Sequence, residues 1–279
     1  MKYCFVADVF VDEVLGGGEL NNEVLINTFI SRGIEIGKIK SNLVTIRFLK
    51  SNINTFFIIA NFVTLSYEAK EFLQQHCTYV IYEHDHKYLR SRNPALYKDF
   101  KAPNEEIVNY NFYRNAMRVF CQSSFHKNIV YKNLEIDNII NLSGNLWEEG
   151  SLNIMKIIST KEKQDTCAIM NSPIPNKNTR TTVQYCDLKE WKYVLVASSN
   201  YQEFLSLLGN NRKLIFMPTT PETLSRLVVE ARMMGMSVIT NHLVGASYEP
   251  WFELKGKELI SYVNEMRNSI PQMIMDGFG

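Results

Sequence analysis

Short apolar runs rich in β-branched and aromatic residues alternate with segments of helical spacing along the whole chain, the sequence form of βαβ units on a parallel sheet. In the first half, strands are predicted over residues 3–9, 55–60, 79–82 and 119–122. Between the first two, Leu20, Val24, Leu25, Thr28 and Phe29 repeat at helical spacing over residues 20–31, and Gly33 closes the helix. Residues 105–117 and 125–131 predict further helices. The run Asn141-Leu142-Ser143-Gly144-Asn145 is a turn cluster, after which strands follow over 166–170, 193–197, 213–217 and 237–240. A domain boundary is therefore expected near Ser143, giving an α/β chain of two Rossmann-like domains, residues 1–142 and 143–260, facing across a cleft that suits a ligand. Residues 255–275 are helical in pattern and kinkable at Pro271, and the last segment, 261–279, can return to the first domain.

Composition narrows the class. A chain of 279 residues, 46% of them hydrophobic, can bury two cores, which excludes a disordered protein or a disulfide scaffold. Thirty Lys and Arg against 29 Asp and Glu leave a formal charge of +1 and a pI near 7.6, so any anion-binding surface is local. The five cysteines, Cys4, Cys77, Cys121, Cys167 and Cys186, form no CxxC pair and are odd in number, as buried thiols in a reducing compartment would be. The N-terminus runs into a strand with no charged leader or cleavage site. The most apolar window, residues 56–65, is about ten residues, against roughly 20 needed to span a bilayer. A soluble, cytoplasmic protein with no membrane partner is expected.

The strongest chemical signal lies in residues 218–239. A strand ends near Met217, Thr220 can cap, Pro221 suits the first helical position, and Glu222 falls in the first turn, where the helix dipole favours a carboxylate. Glu222 and Glu230 are eight residues apart, on one side of such a helix and separated by about 12 Å along it. Alone this spacing equally fits a solvated helix face. With Gly235 and the apolar strand that follows, it resembles the Glu-x7-Glu signature of family 4 glycosyltransferases of the GT-B fold. The resemblance implies that Glu222 lies against a donor sugar, that Thr223 and Leu224 share the donor pocket, and that Glu230 holds the nucleotide ribose hydroxyls.

Two more segments match that family in order. Gly16-Gly17-Gly18 follows the first strand and opens a helix, as the loop near the donor diphosphate does there, and glycine lets backbone approach phosphate closely. After the first strand of the second half, Lys177 matches the family lysine, Asn171 stands near the usual arginine, and Asn178 replaces the usual glycine. Arg180 is the candidate for the second cation. A glycine triplet is also an ordinary turn, and one lysine an ordinary surface residue.

Past the strand at 79–82, the run Glu83-His84-Asp85-His86-Lys87 sits at the cleft-facing end of a parallel sheet. The family often places a histidine there against donor or acceptor, so His84 and His86 are catalytic candidates, with Asp85 as an acceptor-orienting group. His-x-His also suits a metal site, since residues two apart on a strand share a face, and a solvated polar loop is the plain alternative. Residues 86–101 then carry Lys87, Arg90, Arg92, Lys98 and Lys101 against Asp99, interleaved with Tyr88, Tyr97 and Phe100. Phosphate contacts with aromatic stacking on bases are one use of such a stretch, and a solvated basic loop is the other. Lys87, Arg90 and Arg92 are the acceptor-binding candidates.

The chain is similar in length and style to compact family 4 enzymes of T-even-type phages, some of which glycosylate hydroxymethylcytosine in phage DNA. The resemblance thus implies a retaining, metal-independent transferase, without cofactor, that moves a sugar from a nucleotide diphosphate to DNA in the infected host cytoplasm. A glycan or lipid-linked acceptor, a nucleotide-sugar epimerase and a non-enzymatic nucleic-acid-binding protein are the competing functions.

Overall fold

Strands β1 (Lys2–Ala7), β2 (Glu35–Lys40), β3 (Phe56–Ile59), β4 (Thr78–Tyr82), β5 (Val119–Cys121) and β6 (Ile139–Asn141) pair in parallel in the order β2-β1-β3-β4-β5-β6. The inner strands are buried on both faces, so they read as continuous apolar runs. β2, at the edge, is Glu-Ile-Gly-Lys-Ile-Lys with no buried residue, and its polarity hides it from a hydrophobicity pattern. The other edge strand, β6, is three residues long and borders the Asn141 turn cluster.

This sheet packs with α1 (Gly17–Ser31), α2 (Ile46–Ser51), α3 (Tyr67–His76), α4 (Tyr110–Arg114) and α5 (Ser124–Leu134). Ser66 and Ser123 cap α3 and α5 through the backbone N–H groups of Ala69 and His126. The helix expected over 105–117 contracts to α4. Asn109 precedes it in the left-handed conformation, φ 58°, and Asn104–Glu106 form only a 3-10 turn.

The second sheet contains β7 (Gln164–Met170), β8 (Tyr193–Val196), β9 (Asn211–Phe216) and β10 (Ser237–Thr240), all parallel, in the order β10-β9-β7-β8. Helices α6 (Glu149–Ser159), α7 (Thr179–Leu188), α8 (Tyr201–Gly209) and α9 (Arg226–Met233) accompany it, and α10 (Lys257–Asp276) follows, with Pro271 inside it. This computed structural model describes residues 2–278, which divide into two compact units: residues up to Leu146 together with those from Arg267 onward, and Trp147–Met266. α10 carries residues of both. Cys4, Cys121, Cys167 and Cys186 are buried, Cys77 is half-buried, and all five are free thiols. Among the described residues no helix is long and apolar enough to cross a membrane.

In each unit the strand order reverses beside the first strand, between β1 and β3 and between β7 and β9. Loops leaving the carboxyl ends of those strands flank a crevice where open α/β sheets hold ligands. These loops are residues 8–16 and 60–66 in the first unit, and 171–178 and 217–225 in the second.

Candidate functional site

In the second unit the loops after β7 and β9 are tied together. Asn178 adopts the left-handed conformation, φ 55° and ψ 39°, which explains why glycine or asparagine suits this position. Its Nδ2 donates to the Met217 carbonyl at 2.9 Å, and the Thr179 hydroxyl donates to the Met170 carbonyl at 2.7 Å. Lys177, held at the end of a 3-10 turn, donates through Nζ to Glu222 Oε1 at 2.7 Å. Two residues 45 positions apart in the sequence thus form one half-buried ion pair at the switch point.

Glu222 does not sit in a helical first turn. Its N–H donates to the Leu243 carbonyl at 2.7 Å and its own carbonyl accepts from the Gly245 N–H at 2.9 Å, a bridge that consumes the groups a helix would use. Helix α9 starts four residues later, at Arg226, after Ser225 in the left-handed region with φ 75° and ψ 90°. Glu222 and Glu230 therefore lie on separate elements, and helical spacing is not what relates them. Leu224 is fully buried in the core, Thr223 is buried, and Arg180 is exposed near the start of α7.

Glu230 is 3% exposed, and its Oε1 accepts from the Trp147 indole N–H at 2.9 Å and from the Tyr201 hydroxyl at 2.6 Å. The Arg226 Nε lies 3.4 Å from the same oxygen.

In the first unit, Gly16 is the N-cap of α1 in an extended conformation, φ −112°, which any residue adopts. A Cβ on Gly18 would stand 3.8 Å from the His84 ring, so the first turn of α1 abuts the residues just past β4. His84 donates from Nε2 to Asn22 Oδ1 at 2.6 Å, and its Nδ1 accepts from the Gln122 amide. Burial first, then the Lys87 cation, lowers its pKa to about 3. A neutral imidazole with both nitrogens engaged is fixed in one tautomer and is no free base.

His86 turns inward, contrary to its expected place in the site. It is 1% exposed, Nδ1 meets the Tyr88 hydroxyl at 3.0 Å, and its ring lies edge-on to His126 at 5.2 Å. β4 ends at Tyr82, so no strand pleat aligns His84 with His86. Among the described residues, no three His, Cys, Asp or Glu side chains are grouped to hold a metal. The Asp85 side chain is 38% exposed and lies between Lys87 at 3.0 Å and Arg92 at 3.5 Å. Burial opposes its charge, but Lys87 prevails and holds the carboxyl below the usual range.

Lys87 is the clearest departure from the sequence expectation. Its side chain is buried, bonded to Glu83 and Asp85 and 3.4 Å from Asn61 Oδ1, so it has no face to offer a phosphate. The exposed cations of this stretch are Arg90, Arg92, Lys98 and Lys101.

The buried histidines make stability pH-dependent. Burial lowers the pKa of His86 to about 4, whereas an unfolded histidine titrates near 6.5. The unfolded chain binds more protons between these values, so stability present above pH 6.5 is lost as pH falls toward 4. For His86 the loss is about 3 kcal/mol by pH 4. Urea unfolding at pH 7 and pH 4 should show His86→Gln losing about that much less than wild type, and equal losses would remove His86 as the cause.

Sequence reasoning missed Asn22, Asn61, Gln122, Trp147, Tyr201 and Arg226. Gln122 follows directly on β5 and Asn61 stands two residues past β3, so the rule of strand carboxyl ends marks them once the strands are placed. Arg226 and Glu230 stand at i,i+4, where helical side chains meet.

No family model matches the chain, and no curated protein sequence is significantly similar to it. Solved structures are similar in fold. HepE of Anabaena, in complex with UDP and glucose, is 12% identical with a TM-score of 0.54 over 100% of this chain and 92% of that one. An α-glucosyltransferase, in complex with UDP and a 13-mer DNA containing a HMU base, is 9% identical with a TM-score of 0.52 over 100% and 95%. A UDP-GlcNAc 2-epimerase of Methanocaldococcus jannaschii, in complex with UDP-GlcNAc and UDP, is 13% identical with a TM-score of 0.51 over 96% and 93%. The two parallel-sheet units are those of the GT-B fold.

Proposed function

We propose that this chain is a retaining glycosyltransferase that moves a sugar from a nucleotide diphosphate to a hydroxyl, and that the hydroxyl belongs to a hydroxymethylated base in DNA. The Lys177–Glu222 ion pair at the β7/β9 switch point carries the proposal. Breaking the bond between sugar and diphosphate develops positive charge on the ring and negative charge on the leaving oxygen. A carboxylate and an ammonium side by side answer both. In the same unit Glu230 accepts from the ribose, and in the first unit the amides at the start of α1 suit an anion. In the first unit, Asp85 orients the acceptor hydroxyl and His84 buttresses the glycine loop. The DNA acceptor draws support from the α-glucosyltransferase whose complex holds DNA, and from the exposed Arg90 and Arg92.

Incubation with a panel of sugar nucleotides and DNA bearing hydroxymethylcytosine, hydroxymethyluracil or plain cytosine, followed by nucleoside mass spectrometry, tests this directly. Sugar on a hydroxymethylated base, with the anomeric configuration of the donor, is the expected product. Transfer to a glycan alone, or interconversion of the donor without any acceptor, would replace the DNA assignment. Arg90→Ala combined with Arg92→Ala should reduce the magnitude of the log-affinity versus log-salt slope for DNA by about 0.9 for each phosphate no longer neutralised. Affinity for the nucleoside diphosphate should not follow it. An unchanged slope removes this segment from the interface.

A further inference from the structure

Glu230 is held by three neighbours that converge on one of its two oxygens. Oε1 accepts from Trp147 Nε1–H at 2.9 Å and from the Tyr201 hydroxyl at 2.6 Å, with Arg226 Nε at 3.4 Å. The neighbours also hold one another. The Arg226 guanidinium lies 4.4 Å over the buried Trp147 ring, and Arg226 Nη2 donates to the Tyr201 oxygen at 3.3 Å. With its oxygen accepting from Arg226, the tyrosine directs its own hydrogen to Glu230. Burial, then the Glu230 carboxylate, push the phenol pKa up, so the hydroxyl stays a donor at any working pH.

A carboxylate oxygen offers about two acceptor directions. Tryptophan and tyrosine occupy both on Oε1, and among the described residues no hydrogen bond goes to Oε2. We infer that Trp147, Tyr201 and Arg226 are positioning residues that make Glu230 selective for ribonucleotides: by filling Oε1 they leave Oε2 to accept both vicinal hydroxyls of one ribose. The selectivity rests on the ribose assignment of Glu230 proposed above. A 2′-deoxynucleotide leaves one direction on Oε2 unfilled, and a site built to bind a hydroxyl rejects the analogue that lacks it. Without the tyrosine hydroxyl, Oε1 regains a vacant direction. The carboxylate can then turn, and a single sugar hydroxyl suffices in either of two poses.

The test is calorimetric titration of UDP, GDP and ADP, each beside its 2′-deoxy counterpart, into wild type, Tyr201→Phe and Trp147→Phe. Wild type should prefer its best ribonucleotide over the deoxy form by about tenfold or more, the size of one hydrogen bond to a charged group. In both variants the ratio should fall to within about threefold, chiefly through weaker ribonucleotide binding. A merely structural role would lower both affinities together and keep the ratio, and melting temperatures identify a variant that has lost its fold. Full discrimination in either folded variant overturns the positioning role. Wild type that binds nucleotides without preference, or binds none, instead defeats the ribose assignment beneath it.

Discussion

Alanine at position 177 is expected to lower sugar transfer by about a hundredfold or more while changing nucleoside diphosphate affinity far less. In the resting protein the Lys177 ammonium is 2.7 Å from Glu222 Oε1, so a bound diphosphate shares its charge with that carboxylate. As the bond to the sugar breaks, charge on the leaving oxygen grows and the lysine interaction strengthens with it. The loss therefore falls on the chemical step. Asn178 and Thr179 anchor the loop on either side of β7 and β9 through backbone acceptors, so its position survives the substitution. The pair is half-buried, and its removal should cost the fold no more than about 1 kcal/mol. Single-turnover transfer and calorimetry with UDP separate the two effects. Arg180→Ala is the comparison: turnover lost there and kept in Lys177→Ala would hand the leaving-group role to Arg180.

How far the chain was legible depends on whether the deciding interactions are local. β1, β3, β4 and β5 are buried on both faces, and burial on both faces is what an apolar run records. Edge strand β2 escaped because its solvent-facing residues are Glu35, Gly37 and Lys38. Thr220-Pro221-Glu222 carries every local signal of a helix start, yet the backbone of Glu222 is captured by residues 243 and 245, about twenty positions on. No propensity encodes that pairing. Family order set Lys177 and Glu222 against one donor, but their direct pairing depends on the strand order, which brings the ends of β7 and β9 together at the reversal point. His86 and Lys87 fail for another reason. β4 ends before them, so neither a pleat nor a helical period says which side chain turns inward.

Lys87→Met is expected to destabilise the first unit by about 3–5 kcal/mol, the cost of leaving one member of a buried ion pair alone. Glu83 is fully buried, and its carboxylate takes Lys87, the Tyr113 hydroxyl and the backbone N–H groups of His84 at 3.1 Å and Asp85 at 2.9 Å. Burial alone would lower the Lys87 pKa, but Asp85 and Glu83 more than offset it and keep the ammonium charged. Methionine keeps an unbranched apolar side chain and loses the ammonium, whose Nζ stands 5.4 Å over the Phe62 ring, so the loss reports chiefly the charge. The double variant Glu83→Gln, Lys87→Met removes both charges and should recover most of the stability. Arg92→Ala, at an exposed pair with Asp85, should cost at most about 1 kcal/mol. Urea unfolding of the four proteins at pH 7 decides it. A neutral Lys87→Met would mean that Glu83 is protonated in the folded state, and Lys87 would then be present for Asp85 alone.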